Sequence, residues 1–144
     1  MIYTYQFTLK RIKDGDSLVG DLDLGMRVWM HDVDLRLFAI DTPEIRAIGG
    51  KKLLKRYGLT VKQHLEDTLT IGEVYTIKTY KDQRGKFGRV LAKVYHKGLN
   101  KRCLNEELVL QHMAIPYNGE SREEVQRAHQ ANLTRFIAEG NKLI

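Results

Sequence analysis

Two acidic stretches and two arginines in this 144-residue chain have the residue types and order that phosphate chemistry requires. The first stretch is Asp14-Gly15-Asp16. The second is Arg36-Leu37-Phe38-Ala39-Ile40-Asp41-Thr42-Pro43-Glu44, about one strand pair later. Carboxylates of Asp16 and Asp41 at one rim of a sheet would draw a divalent cation, and oxygen donors favour calcium or magnesium over zinc. Glu44, just beyond Thr42-Pro43, is placed to orient or deprotonate a water without ligating the metal. Arg89, after Gly88 in Lys86-Phe87-Gly88-Arg89, can grip a phosphate bidentately. Arg36 is the awkward member, because strand alternation puts it and Asp41 on opposite faces. A shared site needs a bulge, a twist or a strand end between them. Each piece also has a plain structural reading: Asp14-Gly15 is an ordinary turn dipeptide, Thr-Pro-Glu a routine loop exit, Gly88-Arg89 part of a basic face. Their coincidence favours chemistry.

The elements that must position these residues follow from hydrophobic patterning. Residues 4–40 have strand character, broken at Asp14-Gly15 and around Gly25, which predicts three consecutive strands in a meander. From Lys51 to Leu69 the period changes to helical, with Leu53, Tyr57, Val61, Leu65 and Leu69 every four residues. Strands return at residues 73–79 and 89–95, separated by the polar loop 81–86. Asn105 is expected to cap a short helix through about His112. Ser121 with Glu124 forms a capping box that opens a last helix to about Glu139, stopped by Gly140. Both prolines, Pro43 and Pro116, fall in expected loops. The order β-β-β-α-β-β-α-α predicts an α+β fold, mainly a five-stranded Greek-key barrel of OB type with three helices.

Length and composition limit the rest. The whole chain, 1–144, reads as one domain, with ordinary globular fractions of 42% hydrophobic and 29% charged residues. No apolar run approaches membrane-spanning length, so no membrane association is expected. No secretory signal is visible at the N-terminus, so a cytoplasmic location is expected unless a signal has been removed. Cys103 is the only cysteine and reads as a small buried apolar residue. The five histidines (His31, His64, His96, His112, His129) are scattered among different elements and indicate no histidine-based site. Net charge is +6, with nine basic residues against the single acid Asp82 between Lys78 and Arg102, a candidate polyanion surface.

These residues carry a resemblance to the staphylococcal (micrococcal) nuclease family. Its segments are Asp14-Gly15-Asp16-Ser17, Arg36 through Glu44, Tyr57-Gly58, Gly85 through Arg89 and Asn105-Glu106-Glu107-Leu108-Val109, in family order across residues 9–117. The resemblance implies a calcium-dependent, sugar-nonspecific endonuclease that cleaves the P–O5′ bond of DNA and RNA and leaves 3′-phosphate ends. It implies calcium ligation by Asp16, Asp41 and the Thr42 carbonyl, action of Glu44 on the attacking water, and phosphate binding by Arg36 and Arg89. Lys86, Phe87 and Tyr117 would contact substrate. Phe87 stands where secreted members commonly carry tyrosine, and the loop Ala114–Asn118 looks shorter than theirs. Single-stranded or locally opened nucleic acid is the expected partner and a monomer the expected state. The rival reading is an inactive OB module that binds nucleic acid or protein.

Overall fold

A computed structural model describes residues 2–81 and 89–144. Within these residues the chain forms strands β1 (Tyr3–Asp14), β2 (Ser17–Asp23), β3 (Trp29–Leu37) and β4 (Ile40–Asp41), a single 3-10 turn at Ile48–Gly50, and helix α1 (Lys52–Thr68). Then follow β5 (Val74–Tyr80), β6 (Arg89–Tyr95), α2 (Leu104–Leu110), β7 (Ile115–Pro116) and α3 (Arg122–Ala138). The expected OB-type barrel is present: five strands close in the order β1-β2-β3-β6-β5. All neighbours are antiparallel except β3 and β6, whose parallel register sets Asp34 opposite Arg89 and Arg36 opposite Leu91.

Barrel closure depends on β1, which is long enough to pair with β5 through residues 3–8 and with β2 through residues 6–14. Its register shifts between Leu9 and Arg11, and this irregularity explains the burial pattern. Phe7 and Leu9 point inward two apart, but the next inward residue is Ile12, so Arg11 stays outside. A bulge bends the strand by spending one residue, which is how a sheet closes without losing its apolar face. Phe7, Leu9, Leu18, Leu35, Leu37, Ile77, Ala92 and Val94 fill the interior, and Cys103 is buried as expected.

Helix α1 covers the barrel with Leu54, Tyr57, Val61 and Leu65. Leu53 is exposed, contrary to the four-residue reading, and Leu54 takes its place. At 3.6 residues per turn a strict spacing of four precesses about 40° per step, so the far end of such a series leaves the buried stripe. Asn105 does not cap α2 as its residue type suggests; Cys103 is the N-cap, and Asn105 lies buried inside the helix. Its Oδ1 accepts from the Val94 amide at 3.1 Å, and its Nδ2 donates to the Phe38 and Ala92 carbonyls, both at 3.1 Å. It thus fastens α2 to the end of the barrel that carries the β3–β4 turn. Ser121 caps α3 as expected, its hydroxyl accepting from the Glu124 amide at 3.2 Å. Pro116 sits in the two-residue strand β7 rather than a loop, opposite Ile40. Among the described residues, no helix is long and apolar enough to cross a membrane.

Candidate active site

The awkward placement of Arg36 is resolved by a strand end. Strand β3 stops at Leu37, Phe38 and Ala39 make a turn with Ala39 at φ +63°, and the chain restarts as β4, which Asp41 ends. Asp41 therefore does not end the third strand, and the alternation linking it to Arg36 is cut in the middle. A residue in the left-handed region reverses the chain locally, so both side chains reach one side. Asp16 lies in the turn between β1 and β2, directly before β2. The register Ser17 opposite Arg36 and the Leu37 amide bonded to the Asp16 carbonyl at 2.9 Å put this turn against the end of β3.

These three residues form one ionic cluster. Arg36 Nη1 is 2.5 Å from Asp16 Oδ2, and Arg36 Nη2 is 2.9 Å from Asp41 Oδ1. Asp16 Oδ2 also accepts from the Thr42 amide at 3.1 Å, and Asp16 Oδ1 from the Ser17 hydroxyl at 3.2 Å. Burial alone would raise the Asp16 carboxyl, yet the Arg36 charge and these hydrogen bonds outweigh it and hold the group below its ordinary value. Burial lowers the Arg36 guanidinium, but the two carboxylates more than compensate and leave it raised. Asp14, whose Oδ1 accepts from the Asp16 amide at 3.1 Å, behaves oppositely. Burial, then the neighbouring Asp16 charge, push its carboxyl up to about 7. Two neighbouring acids with opposite shifts mark a site where charge is balanced locally.

The cluster lines a cleft of about 360 Å³, whose walls also include Asp14, Ser17, Pro43, Glu44, Arg89, Tyr117 and Arg122. Glu44 is exposed at this cleft, whereas Thr42 is buried. The loop that carries them is pinned by two glycines. A Cβ on Gly58 of α1 would fall 2.1 Å from the Glu44 carbonyl oxygen, and one on Gly15 would fall 2.7 Å from Thr42 Oγ1. No side chain fits either space, so glycine is required for the helix and the β1–β2 turn to close on the loop. Arg89 opens β6, and the Tyr117 amide bonds the Ala39 carbonyl at 2.9 Å. Seven expected residues, Asp16, Arg36, Asp41, Thr42, Glu44, Arg89 and Tyr117, thus line one cleft. Lys86 and Phe87 lie outside the described residues.

Residues 34–142 match the family model described as Staphylococcal nuclease homologue. The chain belongs to the staphylococcal nuclease family. Comparison with curated proteins returned no match. Membership supports a nucleic-acid-binding or nucleic-acid-hydrolysing function, and the barrel with three helices agrees with it. The match begins within β3, so Asp14 and Asp16 precede it; Asp16 joins this nuclease-type cleft through contact with Arg36 and Thr42, and Asp14 through the Asp16 amide.

The donor set of the nuclease-type cleft suits a hard cation. Among the described residues no group of three His, Cys, Asp or Glu side chains is arranged around a metal position. The carboxylate oxygens of Asp16 and Asp41 nevertheless converge on one cationic group, and the buried Thr42 hydroxyl has no hydrogen-bond partner among the described residues. Oxygen-only coordination completed by backbone carbonyls and water is the calcium pattern, so these residues fit that ion. Two cleft-lining residues and one residue behind the cleft carry no local signal of their place. Asp14 was indistinguishable from a turn residue, and Arg122 was visible only as the first residue after the Ser121 cap. His129 is buried on α3, and its Nε2 lies 2.7 Å from Asp41 Oδ2. No local signal joins it to Asp41, because the contact spans from β4 to the C-terminal helix.

Proposed function

We propose that the protein is a calcium-dependent, sugar-nonspecific nuclease that hydrolyses the P–O5′ bond of DNA and RNA to leave 3′-phosphate ends. Its substrate is single-stranded or locally opened nucleic acid, and it acts as a monomer. The observation that carries this reading is the convergence of Asp16 Oδ2 and Asp41 Oδ1 on a single guanidinium, at 2.5 and 2.9 Å, inside a cleft that also holds Glu44 and Arg89. Asp16, Asp41 and the Thr42 carbonyl would hold calcium. When bound, that ion supplies Lewis-acid polarisation of a phosphoryl oxygen.

The chain's own residues supply the remaining parts. Arg36 exchanges a carboxylate partner for a phosphate oxygen, and Arg89 contacts the same phosphate. Together they offset the negative charge that grows as phosphorus becomes five-coordinate. Glu44, exposed at the cleft, orients the attacking water or accepts its proton. The water oxygen bonds to phosphorus as its proton passes to Glu44 or to solvent, the P–O5′ bond breaks, and O5′ departs taking a proton from solvent water, so that one water is consumed per bond cut. Tyr117 offers a ring for base stacking, and Lys86 and Phe87 are further candidate substrate contacts. Because these contacts address phosphate and ring faces rather than base edges, no sequence preference is expected.

Plasmid and single-stranded DNA incubated with the protein should be cut to a smear in calcium and remain intact in chelator. Cleavage that persists in chelator would sink the metal mechanism. Binding without cleavage in either buffer would instead support the inactive OB module.

A further inference from the structure

We propose that His129 is a positioning residue for Asp41, so that the C-terminal helix α3 contributes to the cation site through a single hydrogen bond. This rests on the reading of Asp41 as a calcium ligand. His129 is almost completely buried, and its Nε2 is 2.7 Å from Asp41 Oδ2, whereas the other oxygen of the same carboxylate, Oδ1, faces Arg36 at 2.9 Å. Its Nδ1 is buried and meets no hydrogen-bond partner among the described residues. The ring therefore has one use for its proton, on the nitrogen that faces Asp41.

The final torsion of an aspartate side chain is broad and roughly two-fold, so a carboxylate at a strand end does not orient itself. A donor on one oxygen fixes the plane and leaves the other oxygen facing Arg36 in the cleft. Metal-ligating carboxylates are commonly held in this way by partners behind them. The donor is itself held rigidly. One turn further along α3, Asn132 Nδ2 donates to the Tyr57 hydroxyl at 3.1 Å and to the Ala114 carbonyl at 3.4 Å, while Leu133 and Phe136 anchor the helix in the core.

The test is calcium binding by isothermal titration calorimetry, without nucleic acid, on the full chain. His129→Gln places an amide near the position of Nε2, and His129→Asn places one near Nδ1, too short to reach Asp41. The Asn variant should lose about 10- to 100-fold in calcium affinity, the usual effect of removing a partner of a ligand, while Gln recovers most of it. Leu133→Ala, which loosens the same helix without touching Asp41, should lower the melting temperature but keep the calcium affinity of the unmodified protein. If Asn binds calcium as tightly as the unmodified protein, or if Leu133→Ala loses as much affinity as Asn, the positioning role is overturned. Failure of the unmodified protein to bind calcium would overturn the metal reading itself, and this inference with it.

Discussion

The guanidinium of Arg36 neutralises two carboxylates in the cleft, and the proposed reaction also aims it at phosphate. Arg36→Ala should therefore lower kcat by about 10²- to 10³-fold, as loss of one preorganised charge-stabilising group does. In calcium-free buffer it should also cost about 3 kcal/mol of stability, because Asp16 and Asp41 lose their common counter-charge. Glu44→Gln should cost a similar factor in kcat but stay within about 0.5 kcal/mol in stability, since Glu44 is exposed. Steady-state cleavage and urea denaturation separate the two effects. Asp14 gives a pH prediction at the same scale. Its folded value of about 7 lies above its ordinary 3.8, so across that window the folded chain binds more protons than the unfolded one. Its contribution to stability is thus fully present below the ordinary value and fades as pH rises through 7. In calcium-free buffer Asp14→Asn should melt above the unmodified protein at pH 8, and the gap should shrink as pH falls to 4. A gap that grows on acidification would reverse the assignment.

At the scale of elements, the site is held by close approach rather than by many bonds. Helix α1 meets the Pro43-Glu44 loop at Gly58, and the space there excludes even one methyl group. Gly58→Ala should force the loop or the helix outward, cost about 1–3 kcal/mol, and reduce cleavage more than Leu53→Ala does. Leu53 lies on the exposed side of the same helix, so a thermal melt and a cleavage assay on both variants check the contrast. Element positions were largely legible in the sequence: β1 to β3, α1, β5, β6 and α3 lie where hydrophobic period and turn residues put them. The short pair β4 and β7 was not legible, since two residues carry no period. Asn105 reads as a cap because its side chain suits one, and only the barrel's end, with the Val94 amide and the Phe38 and Ala92 carbonyls within reach, draws it inside.

Over the whole molecule, basic residues are concentrated between Lys78 and Arg102, where nine stand against one acid. On β5 and β6, Lys78 lies 5.4 Å from the centre of the Tyr95 ring and Lys93 lies 5.8 Å from that of Tyr80, while Tyr80 stacks on Phe38 at 4.1 Å. Cations beside aromatic faces suit a strand read by phosphate and ring contacts. Binding of single-stranded DNA, measured by fluorescence anisotropy on Glu44→Gln to prevent cleavage, should weaken steeply with salt. If Lys78 and Lys93 each neutralise a phosphate, removing either should reduce the log–log slope by about 0.7. Unchanged slopes would place the strand elsewhere.

The sequence by itself determined which residues are candidates for chemistry and which of the longer elements exist. Acid, arginine and glycine spacing is a local property, and so is hydrophobic period. Only the tertiary structure decided how Arg36 and Asp41 come to face one cleft, through a turn at Ala39 that alternation cannot foresee. It also decided that Asp14 belongs with them and that His129 stands behind Asp41. Those placements depend on barrel closure and helix docking, which bring together groups with no local pattern in common.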